Sequence, residues 1–396
     1  MKRFFVILSL ISVLNILNAQ DLKQIMLPGK PTSGSQLKLS EIALSVEYLP
    51  FEYNVKALLS DQSYCALIIN DFLFIQTTGT LFSFSKNGKF IQKFVTAGRG
   101  PGEGFVRCFT VDENNHLVYV YNHFAHNILV FNLEGKFLKS IRDPFSETIG
   151  SYVQHLAWDP KTGNIFVTFD GSDGKMLYKY AVIDANGQIL HREPNYDKFI
   201  VNKRIMEAAL LESPLCMYQD MLFFKYQYND TVFQVNADYS CSPAYTIRVP
   251  KAVTLEERIK TGSYIVHYST IGVRNSINRI IETKSFLLIN HSSNIFDNEL
   301  VRTHLSLYDK QKNQLISYFE QGIINDWDGG MNIEHFYSDG KYIWWLFQAF
   351  DLKEELTSSH FSKSKALYPE QQKRLRTMVD KLDEEDNPVL MIVTLK

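Results

Sequence analysis

The chain begins with Lys2 and Arg3, runs apolar over residues 4–17 with only Ser9, Ser12 and Asn15 interrupting, and reaches a small residue at Ala19. A basic start, a short apolar run and a small residue together form a secretory signal peptide. Residues 1–19 are therefore expected to be cleaved near Ala19, leaving a mature chain over 20–396. Beyond that segment the apolar residues fall into short stretches punctuated by turn residues. Residues 81–94, 129–141 and 180–191 each read as strand, turn, strand. Their turns carry Gly88, Gly135 and Gly187, which supply the positive φ that a tight hairpin needs. Several strands are apolar without alternation, as expected for a sheet covered on both faces.

The hairpins recur about 50 residues apart, the period of a four-stranded propeller blade. A second element precedes them: residues 105–112, 152–159 and 332–339 each form a strand ending in Asp112, Asp159 or Asp339. Counting units places blade 1 near 62–97, blade 2 near 105–142, blade 3 near 152–193, blade 4 near 203–249, blade 5 near 264–320 and blade 6 from 332. The last stretch, 389–395, matches a third strand and leaves no chain for a fourth. The segment near 43–49, where Leu44, Val46 and Tyr48 alternate with Ser45 and Glu47, has the pattern of an edge strand and is assigned to close the ring. The fold expected is all-β: a six-bladed β-propeller of four-stranded antiparallel blades spanning 20–396. A loop over 250–263 and a helical insertion over 351–387 depart from the repeat. Within the insertion, Leu375, Met378, Val379 and Leu382 predict a helix over 369–385, opened by Pro369 and docked on the propeller.

Twenty-eight Phe and 21 Tyr strengthen the strand reading. A net charge of −2 argues against nucleic acid, which requires a concentrated basic face. No stretch after the signal segment approaches the roughly 20 apolar residues of a membrane helix, so no membrane span is expected. No cysteine ends the signal segment, so no lipid anchor is expected either. Cys65, Cys108, Cys216 and Cys241 lack the close spacing of zinc or redox motifs and read as small buried hydrophobes, with one disulfide left open.

The glycine-rich stretch 97–104, the strand to Asp112 and the segment 127–137 together resemble the NHL repeat, although the arginine that this repeat carries after its asparagine is absent after Asn127. Segments 39–50, 98–103, 228–232 and 385–390 are similar to the exported six-bladed β-propeller proteins of Bacteroidetes, a family mostly without assigned function. The resemblance spans nearly the whole mature chain and implies the propeller fold.

The candidate chemistry lies where the innermost strands begin. Aligned on their terminal Asp or its equivalent, these strands place Arg107, Gln154, Asn278 and Glu334 at one position and Cys108, His155, Cys216, Arg279 and His335 at the next. Strand starts of this kind ring one mouth of the central channel, a usual place for ligands. Arg107, Gln154, His155, Asn278, Arg279, Glu334 and His335 are the expected ligand-binding set. Arg99, in the glycine-rich linker, and Trp327, in the loop 326–330, are weaker candidates. The linker lacks both the βαβ context of a dinucleotide site and the lysine of a P-loop. His123 and His126 sit in a turn with no third ligand nearby in sequence.

Amidating lyases of the NHL type hold a metal with three histidines on comparable strands, whereas here His155 and His335 lie on opposing blades. Convergence of Cys108, His155 and Cys216 is the one metal arrangement left open. No metal or cofactor is expected. The favoured function is a non-catalytic secreted binding or scaffolding propeller for a small polar ligand, glycan or protein partner. The alternative is a hydrolase or lyase built from His155, Arg279, Glu334 and His335.

Overall fold

The computed structural model describes residues 22–29, 36–59, 65–69, 71–145, 153–169, 176–198, 215–218, 221–226, 228–257, 274–294, 301–318, 322–334, 336–338, 340–358, 361 and 365–396, with backbone alone for 65–67 and 215–218. The expected signal segment, His335 and the expected blade portions 203–214 and 264–273 lie outside the described residues.

Six antiparallel four-stranded blades form a ring, as the repeats predict. Blade 1 runs outward through Cys65–Ile69, Phe72–Thr77, Thr80–Ser85 and Phe90–Lys93. Blade 2 comprises Val106–Asp112, Leu117–Asn122, Asn127–Asn132 and Phe137–Arg142. Blade 3 comprises Val153–Asp159, Asn164–Phe169, Tyr178–Ile183 and Ile189–Pro194. Blade 4 comprises Leu215–Tyr218, Met221–Lys225, Thr231–Val235 and Cys241–Arg248. Blade 5 comprises Asn275–Glu282, Phe286–Ser293, Arg302–Asp309 and Gln314–Tyr318. Blade 6 joins Tyr337–Ser338, Tyr342–Phe347 and Val389–Leu395 to the N-terminal strand Ala43–Pro50, which pairs antiparallel with Val389–Leu395.

Side chains on successive positions of a strand face opposite neighbours, so each apolar run feeds two cores. In blade 2, Val118 and Val120 pack toward blade 1 while Tyr119 and Tyr121 pack toward blade 3. In blade 6, Val389, Met391 and Val393 face blade 5, whereas Leu390 and Trp344 face blade 1. The same division holds at the remaining seams, with Tyr180 and Phe224 between blades 3 and 4 and Phe223 and Ile289 between blades 4 and 5. An apolar strand is expected to bury both Trp344 and Trp345; Trp344 is core, whereas Trp345 is half-buried and stacks on Tyr337.

Turn chemistry sets the repeat. Asp112 is fully buried and its Oδ1 accepts the backbone N–H groups of Asn114 and Asn115, both at 2.9 Å. Asp159 does the same for Lys161 at 3.0 Å and accepts the Thr162 hydroxyl at 2.6 Å. These side chains mimic a backbone turn and reverse the chain after the innermost strand. Gly88, Gly135 and Gly187 have φ of 77°, 77° and 87°. Each also lies against the outer strand of the preceding blade, where a Cβ would collide with the Pro50 carbonyl, Gln92 or Ile141 respectively. Their recurrence thus records a seam between blades as well as a turn.

Three features differ from the sequence reading. The closing strand slips register between Thr394 and Leu395, which pair with Ser45 and Ala43. Leu44 is bulged outward and 61% exposed while Ala43 and Val46 are buried, so the expected alternation fails at Leu44. The predicted helix is present but shorter, Pro369–Val379, and a second helix, Ala349–Thr357, precedes it in the insertion. Leu375, Val379 and Leu382 are buried against the propeller, as are Leu352 and Leu356. The sequence also left unassigned the strand Lys23–Met26, which adds in parallel to the outer edge of blade 4.

Gly88→Ala is expected to cost about 1–3 kcal/mol, because it combines a left-handed backbone with a clash on the closing strand. Chemical denaturation of the variant measures this. A chain beginning at Val55 lacks the closing strand and should lose its cooperative melt; an unchanged melting temperature would refute closure by this strand.

Candidate functional site

The innermost strands of blades 2, 3 and 5 share one distortion. Val106 pairs with Asn122 and Cys108 with Tyr121, leaving Arg107 with no residue opposite. Gln154 is left out in the same way between Val153 and His155, and Asn278 between Ile277 and Arg279. An extra residue of this kind kinks the strand and re-aims the side chains beside it. The three residues left unpaired are the ones that the strand register singles out. Arg107, His155 and Arg279 are exposed, and Gln154 and Asn278 are half-buried. Their flanking residues Val106, Leu156 and Ile280 are buried.

Neighbouring blades hold these positions. The side-chain amide of Gln76 in blade 1 donates to the Arg107 carbonyl at 2.9 Å. The Arg279 guanidinium donates to the Phe336 carbonyl in blade 6 and lies 5.6 Å from the centre of the Tyr337 ring. Asn278 donates to Asn290 at 2.9 Å and to Ser292 at 2.7 Å, and accepts from Ser276 at 3.0 Å. Asn278 is thus largely engaged by its own blade, which makes it a positioning residue. Ser276, Asn290 and Ser292 escaped the sequence reading. The signal for Asn290 and Ser292 is the polar end of an otherwise apolar strand, Phe286–Ser293, while Ser276 lies near the start of Asn275–Glu282.

Several expectations change. Glu334 is exposed but precedes the short strand Tyr337–Ser338, so blade 6 presents it from a loop. Cys108 is buried between blades 2 and 3 and packs with the core there, whereas His155 is exposed. The Cys216 side chain lies outside the described residues. Cys241 is a free thiol.

Trp327 is buried, only 8% exposed, with its ring 4.2 Å from that of Tyr368 in the insertion. Its indole face is covered, which corrects its reading as a ligand platform. The carboxylates beside it are also engaged: Asp326 accepts the Ser40 hydroxyl at 2.6 Å, and Asp328 accepts from Asn325 at 2.8 Å and from Tyr48 at 3.2 Å. Burial raises both the Asp328 carboxyl and the Tyr48 hydroxyl above their ordinary values.

In the glycine-rich linker the Glu103 carboxylate accepts the Gly100 N–H at 2.8 Å and fills the space beside Gly98. The chain's own carboxylate therefore fills the space beside these glycines, while Arg99 stands exposed. His123 and His126 lie in the turn after Leu117–Asn122, and burial, Arg107 and His126 hold the His123 pKa down. No group of three or more potential metal ligands occurs among the described residues. Lys179 and Lys225, which no sequence signal marked, flank Tyr226, and burial pushes both down to about 8.

The profile of a domain of unknown function, DUF4934, matches residues 22–394. The chain belongs to the DUF4934 family. Among curated proteins none matches. Among solved structures, a presumed exported protein of Bacteroides fragilis NCTC 9343 superposes with a TM-score of 0.66 at 18% identity, over 94% of this chain and 100% of its own. A DUF4221 member from Bacteroides vulgatus gives a TM-score of 0.48 at 9% identity, over 89% and 97% of the two chains. Virginiamycin B lyase of Staphylococcus aureus gives 0.39 at 12% identity, over 76% and 94%. The first likeness is one of fold alone, and the other two bear on neither ligand nor reaction. No helix among the described residues is long and apolar enough to cross a membrane.

Blade 5 extends the polar network outward. His291 Nε2 lies 2.9 Å from the Ser306 hydroxyl, which donates to Ser317 at 3.0 Å. Burial, with His304 adding to it, pushes the His291 pKa from 6.5 down to about 4. Between these values the unfolded chain binds more protons than the folded one, so this group's contribution is present above pH 6.5 and is lost as pH falls toward about 4. Replacing His291 with Gln should flatten that part of the stability profile. Urea melts at pH 7 and pH 4.5 measure it, and an identical loss in both proteins would exclude His291 as a source.

Proposed function

We propose that this DUF4934 member is an exported, non-catalytic binding propeller that takes a small polar ligand, a glycan or a protein partner at the mouth of its central channel. One observation carries the reading. The same bulge, at the same strand position in blades 2, 3 and 5, presents Arg107, Gln154 and Asn278, with His155 and Arg279 exposed beside them. Interrupting an apolar ladder three times costs pairing, and bulges concentrate where a side chain must be re-aimed toward a site. Glu334, exposed in the loop before Tyr337–Ser338, completes the set on the blade opposite Gln154 and His155, and Arg99 is a peripheral contact.

The chemistry offered is recognition. Two guanidiniums, an imidazole, a primary amide and a carboxylate match hydroxyls, carboxylates or peptide groups by hydrogen bonding. The export reading rests on the basic and apolar N-terminal segment, and the Bacteroides fragilis protein of similar fold agrees with it.

Arg107→Ala and His155→Ala should each leave stability within about 1 kcal/mol, as exposed changes away from special features usually do. Arg279→Ala should cost more than either, because its guanidinium ties blade 5 to blade 6. Thermal-shift screening of the mature protein against monosaccharides, oligosaccharides and small carboxylates, followed by a soaked crystal, tests the site. Binding that persists undiminished in the Arg107→Ala, His155→Ala, Arg279→Ala triple variant would remove the mouth from consideration. Consumption of a bound compound would shift the reading to the hydrolase or lyase.

A further inference from the structure

The insertion in blade 6 does more than cover the propeller. Its helix Pro369–Val379 turns Leu375 and Val379 into the core. A second stripe, Glu370, Lys373, Arg374, Thr377 and Met378 with Lys381 in the following turn, has the spacing of a separate helical face. That face forms one wall of a groove of about 750 Å³. The other wall is the segment after the closing strand, Phe51 to Tyr53, together with the blade 1 hairpin around Gly88 and Lys89. A volume of this size lies within the range of ligand-binding clefts.

The groove is amphipathic and its charges are unevenly engaged. Its apolar floor comes from Pro50, Phe51, Met378 and Leu382, and Tyr53 is 52% exposed at the edge. Lys89, Lys373, Arg374 and Lys381 are all exposed, and none forms an ion pair among the described residues. Two of the three carboxylates are already bound by backbone: Glu52 accepts the Phe90 N–H at 2.9 Å and Asp386 accepts the Asp383 N–H at 2.9 Å. Four cations therefore face the groove against three carboxylates, an excess of one positive charge, and the cations lie along the helix wall and the hairpin rim with no ion-pair partner among the described residues. Long basic side chains can lay their stems on the apolar floor and keep their charges at the rim.

We propose that this groove docks an acidic, partly apolar peptide segment of a protein partner, and that the 351–387 insertion exists to build it. The carboxylates of the segment meet Lys89, Lys373, Arg374 and Lys381, and its apolar side chains meet Phe51, Tyr53 and Met378. Charge complementarity of this kind governs encounter and selects against basic partners. The surface is separate from the channel mouth and does not rest on the mouth reading.

The test uses the mature protein and a short fluorescein-labelled peptide that alternates aspartate with leucine, beside its lysine–leucine counterpart, followed by fluorescence anisotropy. The aspartate peptide should bind and the lysine peptide should not, and raising the salt should weaken binding as screening sets in. Lys373→Glu with Arg374→Glu should weaken binding by about tenfold or more, as loss of complementary rim charge predicts. Arg376→Glu, on the same helix but outside the groove, should change it by less than about twofold, and the mouth variants Arg107→Ala and His155→Ala should leave it unchanged. Lys373→Gln with Arg374→Gln serves if the reversed charges disturb folding, judged by thermal melts. Failure of the wild-type protein to bind, equal binding of both peptides, equal loss in the Arg376→Glu variant, or loss in the mouth variants would each overturn the proposal.

Discussion

Everything in this protein depends on each blade being buried on both faces by its neighbours. A sheet with Val118 and Val120 on one side and Tyr119 and Tyr121 on the other has no face for water. Blades of that kind are stable only in a closed ring, since an open end would expose a whole apolar face. Closure therefore buries two apolar faces in one seam. The chain secures it by giving blade 6 a strand from the far end of the sequence, Ala43–Pro50, and by seating Gly88 of blade 1 against the carbonyl of Pro50.

The N-terminal segment and the blade 6 insertion reinforce that seam with hydrogen bonds. Ser40 and Tyr48 reach Asp326 and Asp328, and the Asn387 amide donates to the carbonyls of Glu52 at 2.7 Å and Ala57 at 2.9 Å. Asn387 also accepts the Leu59 N–H at 2.9 Å. Buried polar groups are costly unless paired, and these pair across more than 270 residues of chain. Acidic and aromatic residues in a loop look like ligand contacts when nothing is known of their neighbours. Here Trp327, Asp326 and Asp328 hold the two ends of the ring together.

Against this apolar framework the innermost strands of blades 2, 3 and 5 share one irregularity. Arg107, Gln154 and Asn278 each leave the ladder at an equivalent point, and the disturbed backbone is held by Gln76 or, around Asn278, by the polar end of blade 5. The groove beside the insertion is a second departure from the repeat, on a surface that the repeat does not require.

The sequence by itself determined the architecture. Hairpin glycines at blade spacing, Asp at the ends of innermost strands, unbroken apolar strands and an orphan strand at the C-terminus are local patterns, and a propeller is a local unit repeated. The strand register also singled out Arg107, Gln154 and Asn278, because aligned repeats place equivalent residues at equivalent points of the ring. Tertiary structure decided what depends on neighbours distant in sequence. It put Cys108 in a seam while His155 stayed exposed, turned Leu44 outward through a register slip, covered Trp327 with Tyr368, and opened a groove between a helix and a hairpin that lie almost 300 residues apart. Periodicity reports which residues alternate along a strand. Which of them meets solvent is settled by the surface that arrives from elsewhere in the chain.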